Sequence, residues 1–276
     1  MLPSINLGFT ELSLYGPMFL IGYVLASLMV RRLSTRCGVG KTDAVAAPIW
    51  GAVGLIIGAK LVYFITRLPS IIENSDKFKE LIKTDIVSAL DYAFGGMVFY
   101  GGLIGFILGV IVYCKHFRID VFSVIDLYTP FLPFVHAFGR IGCFLAGCCY
   151  GIEYHGACAV QFPYNEANPE LSTVPRLPVQ LIEAFLNFIC FAVLFYLLLK
   201  NIKLKSEERK IRQGQLLGFY LAYYIVVRTV LEFFRDDTVR GGIGFLSTSQ
   251  IISIILIPVA VYLILSKRKP ITGTVK

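Results

Sequence analysis

The sequence predicts an all-α, polytopic membrane protein with seven transmembrane helices, and three observations carry that prediction. Hydrophobic residues make up 56% of the 276 positions and charged residues only 16%, against about 25% charged in soluble domains. The mean hydropathy is +0.71. Seven apolar runs, at roughly 12–30, 45–66, 92–114, 121–150, 179–199, 214–234 and 246–266, each reach the ~20 residues a helix needs to cross a bilayer core.

The basic residues orient the runs. The segments 31–41, 115–118, 200–212 and 267–276 hold sixteen Lys and Arg, whereas 67–91, 151–178 and 235–245 hold seven. Positive charge accumulates on the cytoplasmic side, so the N-terminus is expected outside and the C-terminus in the cytoplasm, as an odd number of spans requires. The net charge of +8 therefore belongs to membrane flanks and does not imply nucleic acid. No zinc finger, RNA-recognition motif or continuous basic arm is present. The first residues, MLPSINLGFTELSLYGPMF, lack the basic start and small-residue cleavage site of a signal peptide. Residues 1–276 read as a single transmembrane domain, with 67–91 and 151–178 as external arm or cap segments.

Taken in order, the spans carry polar residues that a plain anchor would not need. Span one opens on Tyr15. Span two holds Lys60, six residues before its outer end. Span three has Tyr100 near its outer end, within FGGMVFYGGLIG. Span four runs to about 30 residues and includes Asp126, Pro130 and Pro133. A straight helix of that length overshoots a core of ~30 Å, so the span is either broken near Pro130–Pro133 or tilted with a cytoplasmic extension. It ends in HAFGRIGCFLAGCCYG, residues 136–151. Gln180 and Glu183 open span five on the outer side, and span six carries Arg228 and Glu232, with Arg235 just beyond.

These groups gather at one depth, in the outer leaflet. His136 and Arg140 are i,i+4, as are Arg228 and Glu232, so each pair shares a helix face. Glu232 can hold Arg228 by a charge-assisted hydrogen bond and leave guanidinium donors for an anion, and cations so placed suit a lipid phosphate. An unreactive reading stands beside this one: an Arg228–Glu232 structural pair, a snorkelling Lys60 and tyrosines of the interfacial belt. The glycines at 139, 142 and 151 allow either tight helix packing or room for a lipid. Cys143, Cys148, Cys149 and Cys158 fall toward the outer side, where disulfides persist. A bond from Cys158 to Cys148 or Cys149 is open. So is a thiol nucleophile at Cys143, activated by His136 and Arg140. A metal set of His136, Cys143, Cys148 and Cys158 matches no familiar zinc spacing, and no metal is assigned.

Four stretches carry a resemblance. LYGPMFLIG in span one, FGGMVFYGGLIG in span three, GRIGCFLAGCCYG in span four and VRTVLEFFR in span six resemble the prolipoprotein diacylglyceryl transferases over nearly the whole chain. RLPVQLIE at 176–183 resembles the family's segment entering span five. The resemblance implies a multi-pass enzyme of the bacterial cytoplasmic (inner) membrane, surrounded by membrane lipids, with its active site toward the outer leaflet. It implies movement of diacylglyceryl from phosphatidylglycerol to the lipobox cysteine of a prolipoprotein signal peptide, with release of glycerol phosphate and no cofactor or metal. Matched motifs place Tyr15, Arg140, Gly151, Arg228 and Glu232 at functional positions. The expected catalytic set is Arg140, Arg228, Glu232, His136, Tyr15 and Cys143, and the expected substrate-binding set is Tyr100, Gly139, Gly142, Gly151, Lys60 and Arg235.

The chain departs from the family at three points. Cys143 stands where Asn is usual, Cys148 where Glu is usual, and Tyr100 where His is usual. His136, one turn before Arg140, is a candidate to take over the base role. Two other functions stay in view: a related phospholipid-using transferase with a different acceptor, and a non-catalytic lipid-binding membrane protein.

Overall fold

A computed structural model describes residues 4–6, 11–163, 172–204, 208, 211–236, 242–243 and 246–271. Ten α-helices occupy the described residues, with two minimal β-hairpins, β1–β2 (Ser4–Asn6, Glu11–Ser13) and β3–β4 (Gly242–Ile243, Leu246–Ser247). The helices are α1 (Tyr15–Leu33), α2 (Asp43–Glu73), α3 (Ser75–Thr84), α4 (Ile86–Phe94), α5 (Phe99–His116), α6 (Val121–Tyr128), α7 (Phe131–Leu145), α8 (Val179–Lys203), α9 (Gln215–Glu232) and α10 (Thr248–Ile264). Each predicted span contains helix, although 92–114 is interrupted between Phe94 and Phe99. Among the described residues, α1, α2 and α8 are long and apolar enough to cross a membrane, and the α6–α7 pair makes a fourth if counted as one broken span. Large apolar side chains stay exposed on the helix faces, such as Ile57 at 62% and Ile255 at 63%, a surface suited to lipid rather than water.

Span four is broken. Helices α6 and α7 meet at 45° across Thr129–Pro130, because Pro130 offers no N–H and disfavours helical backbone before it. Thr129 Oγ1 donates to the Ile125 carbonyl at 2.8 Å, a local bond at the break.

The chain divides into two compact units, residues 39–121 and residues 1–38 with 122–276. The smaller contains α2 to α5. Its main interface is α2 on α5, formed by glycines: a Cβ on Gly54 would overlap the Gly105 carbonyl, and one on Gly58 the Gly101 carbonyl. Small residues at helical spacing let two backbones touch, a standard means of helix association in lipid. Tyr113 donates to Asp43 Oδ1 at 2.9 Å between the same helices. Helix α2 continues to Glu73, seven residues past the predicted end of its span. At 1.5 Å per residue it is about 46 Å long, so the expected arm at 67–91 begins as an extension of that helix and becomes separate only at α3. Asp85 caps α4, accepting from the Val87 and Ser88 N–H groups at 3.1 and 3.2 Å and from the Ser88 hydroxyl. These bonds, the Ser88 hydroxyl foremost, hold its carboxyl below the usual range.

The larger unit contains α1 and α6 to α10, packed as α1 on α7, α7 on α8, and α9 on α8 and α10. Phe131, Phe134 and Phe138 of α7 meet Phe188, Phe191 and Phe195 of α8 at centroid distances of 4.8–5.9 Å. Such pairs each contribute ~0.5–1.5 kcal/mol beyond area burial, and here they fix the register of the two helices. The buried Asp126 of α6 accepts from the Gly214 N–H through both oxygens, at 3.0 and 3.1 Å. It thereby supplies the acceptor and negative charge that the first turn of α9 needs.

Candidate active site

Helix α7 brings Arg140 to the centre of the larger unit. Phenylalanine packing sets α7 against α8 so that Arg140 Nη2 meets Glu183 Oε1 at 3.0 Å. Arg140 Nε also donates to His136 Nε2 at 3.3 Å, and that nitrogen lies 3.4 Å from the same Glu183 oxygen. On α9, Arg228 Nη2 and Glu232 Oε2 are 2.8 Å apart, the i,i+4 pair the spacing predicts. The two pairs share one electrostatic neighbourhood: Glu183 and Arg140 act on Arg228, and Arg235 acts on both arginines. Three guanidiniums against two carboxylates leave one positive charge in a buried site. A group of that sign, shielded from water, is strongly attractive to a phosphate.

Arg228 Nη1, Glu183 Oε2 and Gln180 Oε1 are among the buried polar atoms of this cluster that lack a hydrogen-bond partner among the described residues. Arg228 and Glu183 are 4% and 2% exposed. Buried donors and acceptors left open are costly, at about 1–3 kcal/mol each or more when charged, and natural structures hold few. The set contains a cationic donor and two acceptors, suited to an anion that also carries hydroxyl groups.

Glycines and a short loop seat the periphery. A Cβ on Gly142 would come within 3.0 Å of Tyr15 Cα, so Gly142 lets the start of α1 rest on α7. Tyr15 then sits where Arg140, Cys143, Cys148 and Cys149 all act on its hydroxyl. Around Gly139 there is space, with only Phe19 near at 3.8 Å. Gly151 is a crossing point: its N–H donates to the Leu177 carbonyl at 3.1 Å, the Ile152 N–H donates to Phe234 O at 3.0 Å, and Gly151 pairs with Arg235. A Cβ there would lie 2.6 Å from Leu177 O. This crossing ties the end of α9 to the entry of α8. Arg176 reinforces it, stacking on Tyr150 at 4.6 Å and pairing with Asp236.

The helix end after Arg140 has a defined form. The Cys148 N–H donates to Cys143 O at 3.0 Å and the Gly147 N–H to Phe144 O at 3.3 Å, with Gly147 at φ +68°. This is the Schellman ending of a helix, in which the side chains two residues either side of the last turn meet. Cys149 also adopts positive φ, +61°, uncommon for a residue with a side chain. Gln180 Nε2 donates to the Cys148 carbonyl at 2.8 Å and pins the loop to α8. The Sγ atoms of Cys143, Cys148 and Cys149 consequently all lie within 4.8 Å of one another.

Of the residues expected from sequence, the larger unit brings together Tyr15, His136, Gly139, Arg140, Gly142, Cys143, Gly151, Arg228, Glu232 and Arg235. Lys60 and Tyr100 belong to the smaller unit. There Lys60 Nζ donates to the Phe94 carbonyl at the end of α4, and Tyr100 is exposed on α5. The acidic partner of Arg140 is Glu183, which arrives from another helix. The cysteine that joins Cys143 and Cys148 is Cys149, not Cys158, which is exposed, and no disulfide forms among the described residues. Sequence reasoning counted Glu183 and Gln180 among the polar groups gathered at the outer end without giving them a role, and left out Arg176 and Asp236. The first three lie in RLPVQLIE, the stretch already singled out, and that signal was sufficient to find them.

Comparison with known proteins shows the family. A family model described as prolipoprotein diacylglyceryl transferase matches residues 3–266. A phosphatidylglycerol–prolipoprotein diacylglyceryl transferase of Clostridium tetani is 32% identical, over 90% of this chain and 90% of its own. One of Clostridium perfringens, numbered 2, is 33% identical over 88% and 86%. One of Rickettsia bellii is 30% identical over 89% and 86%. With the family matched across nearly its full length, this chain belongs to the prolipoprotein diacylglyceryl transferases.

Proposed function

We propose that the protein moves the diacylglyceryl group of phosphatidylglycerol to the lipobox cysteine thiol of a prolipoprotein signal peptide. The peptide sulfur attacks the terminal glyceryl carbon, the carbon–oxygen bond to phosphate breaks, and a thioether and glycerol phosphate result. The thiol proton leaves with the departing phosphate or to water. The site's open buried atoms carry this reading. Arg228 Nη1 can donate to the lipid phosphate, while Glu183 Oε2 and Gln180 Oε1 can accept from the free glycerol hydroxyls of the head group.

In this reading Arg140 and Arg228 hold the phosphate and stabilise the charge that grows as the glyceryl carbon–oxygen bond breaks. Glu232 orients Arg228 and Glu183 orients Arg140, so both guanidiniums present fixed donors. The positive field also favours the attacking thiolate. Tyr15, at the rim, steadies the head group, and Arg235 adds a third charge. The seven helical segments are then seven crossings, with the N-terminus outside, the C-terminus in the cytoplasm and the site toward the outer leaflet of the bacterial inner membrane. The distribution of Lys and Arg supports that orientation.

The test is turnover of phosphatidylglycerol in detergent with a lipobox peptide, following glycerol phosphate release and peptide mass. Release coupled to a diacylglyceryl mass increase on the peptide cysteine is expected. Arg228→Ala should lower it by about 10²–10³, the cost of removing one preorganised donor, with helix content unchanged by circular dichroism. Full activity in that variant would overturn the assignment, and release without peptide modification would mean a different acceptor.

A further inference from the structure

The three thiols at the end of α7 play no part in the mechanism above, and their arrangement makes sense on its own terms. Cys143 is buried, Cys148 and Cys149 are half-buried, and all three sulfurs fall within 4.8 Å of each other. Two separate backbone features produce this. The Schellman ending folds Cys148 onto Cys143, and the positive φ of Cys149 turns the third sulfur to the same side. A disulfide would use two thiols and leave the third without purpose. We propose that Cys143, Cys148 and Cys149 form a three-thiolate site for a thiophilic cation such as Zn(II), Cd(II) or Cu(I).

The dimensions suit such an ion. A metal–sulfur bond of about 2.3 Å places ligand sulfurs about 3.8–4.0 Å apart in tetrahedral or trigonal geometry, a spacing the trio reaches with small side-chain adjustments. Thiolates select soft and borderline metals over magnesium or calcium. Three thiolates with a divalent cation carry one net negative charge. The one surplus positive charge of the Arg140, Arg228 and Arg235 cluster, whose Arg140 feels Cys143 and Cys149, compensates it. The loop is held from behind by the Gln180 bond to the Cys148 carbonyl, the kind of outer contact that fixes ligands before the metal arrives. With only three protein ligands, a fourth position remains for solvent, as in metal sites with an open coordination place.

Air-free titration of the reduced, purified full-length protein with Cd(II) tests this through the thiolate-to-metal charge-transfer band, which needs no turnover. One Cd(II) per chain is expected. Cys143→Ser, Cys148→Ser and Cys149→Ser should each weaken binding by at least about a hundredfold, more than the loss typical of an outer-contact change. Cys158→Ser and Cys190→Ser should leave it unchanged. X-ray absorption of the Cd(II)-loaded unmutated protein counts ligands without any folding risk and should give three sulfurs. No stoichiometric band, binding that survives Cys148→Ser, or fewer than three sulfurs overturns the site.

Discussion

The interfaces of the two units are built by opposite means. In the unit spanning residues 39–121, α2 and α5 touch backbone to backbone through Gly54, Gly58, Gly101 and Gly105, and the polar side chains Tyr113 and Lys60 find partners there. In the larger unit, α7 and α8 are separated by a layer of phenylalanines that ends in buried ions, with polar atoms left open. Close glycine contact is rigid and has no room for a ligand. Bulky rings hold helices far enough apart for charged side chains to stand between them. The difference teaches where chemistry can be placed: the interface that costs more to build is the one that can bind something.

Substitutions that exchange these characters should break the comparison in a graded way. Glu183→Ala strands the Arg140 guanidinium and should lower stability by ~3–5 kcal/mol, the cost of breaking a buried ion pair, read as a fall in thermal midpoint in detergent. Gly105→Val drives a side chain into the Gly54 carbonyl and should cost about 1–3 kcal/mol by overpacking, with loss of hydrogen-exchange protection in α2 and α5. Asp126→Ala removes the acceptor at the first turn of α9, for about 0.5–2 kcal/mol, and should speed exchange at the Gly214 amide. The smallest effect belongs to the exposed Asp85. Its carboxyl is depressed in the folded protein, so its cap is intact above the unfolded carboxylate range near ~3.9. The cap is lost as pH falls through the lower folded value. Exchange protection of the Val87 and Ser88 amides should therefore be flat from neutral pH downward and decline only in strong acid, and Asp85→Asn should remove that acid-dependent step.

Much of this was legible in the sequence. Apolar runs located the helices, Pro130–Pro133 marked where span four could break, and i,i+4 spacing paired Arg228 with Glu232. What escaped it depended on contacts between elements. Spacing within span four could not pair Arg140 with Glu183, because that carboxylate comes from a helix some forty residues later, in a register set by phenylalanine packing. Cys149 looked like a neighbour of Cys148 and nothing more, because the turn that brings its sulfur to Cys143 depends on a backbone conformation its residue type disfavours. The reach of α2 to Glu73 was hidden because Arg67 and Pro69 mark an end to the span in sequence, whereas the helix runs on through Pro69.

The Asp126 bond to Gly214 has a consequence far from either residue. It clamps α9 at its first amide, fourteen residues before Arg228, so α9 behaves as a measuring rod about 21 Å long. The height and bearing of the Arg228 guanidinium are then set from the opposite end of the helix. One residue inserted between 215 and 227 would raise that guanidinium by about 1.5 Å and swing it by about 100°, and every contact around it could stay unmutated while the site lost its aim.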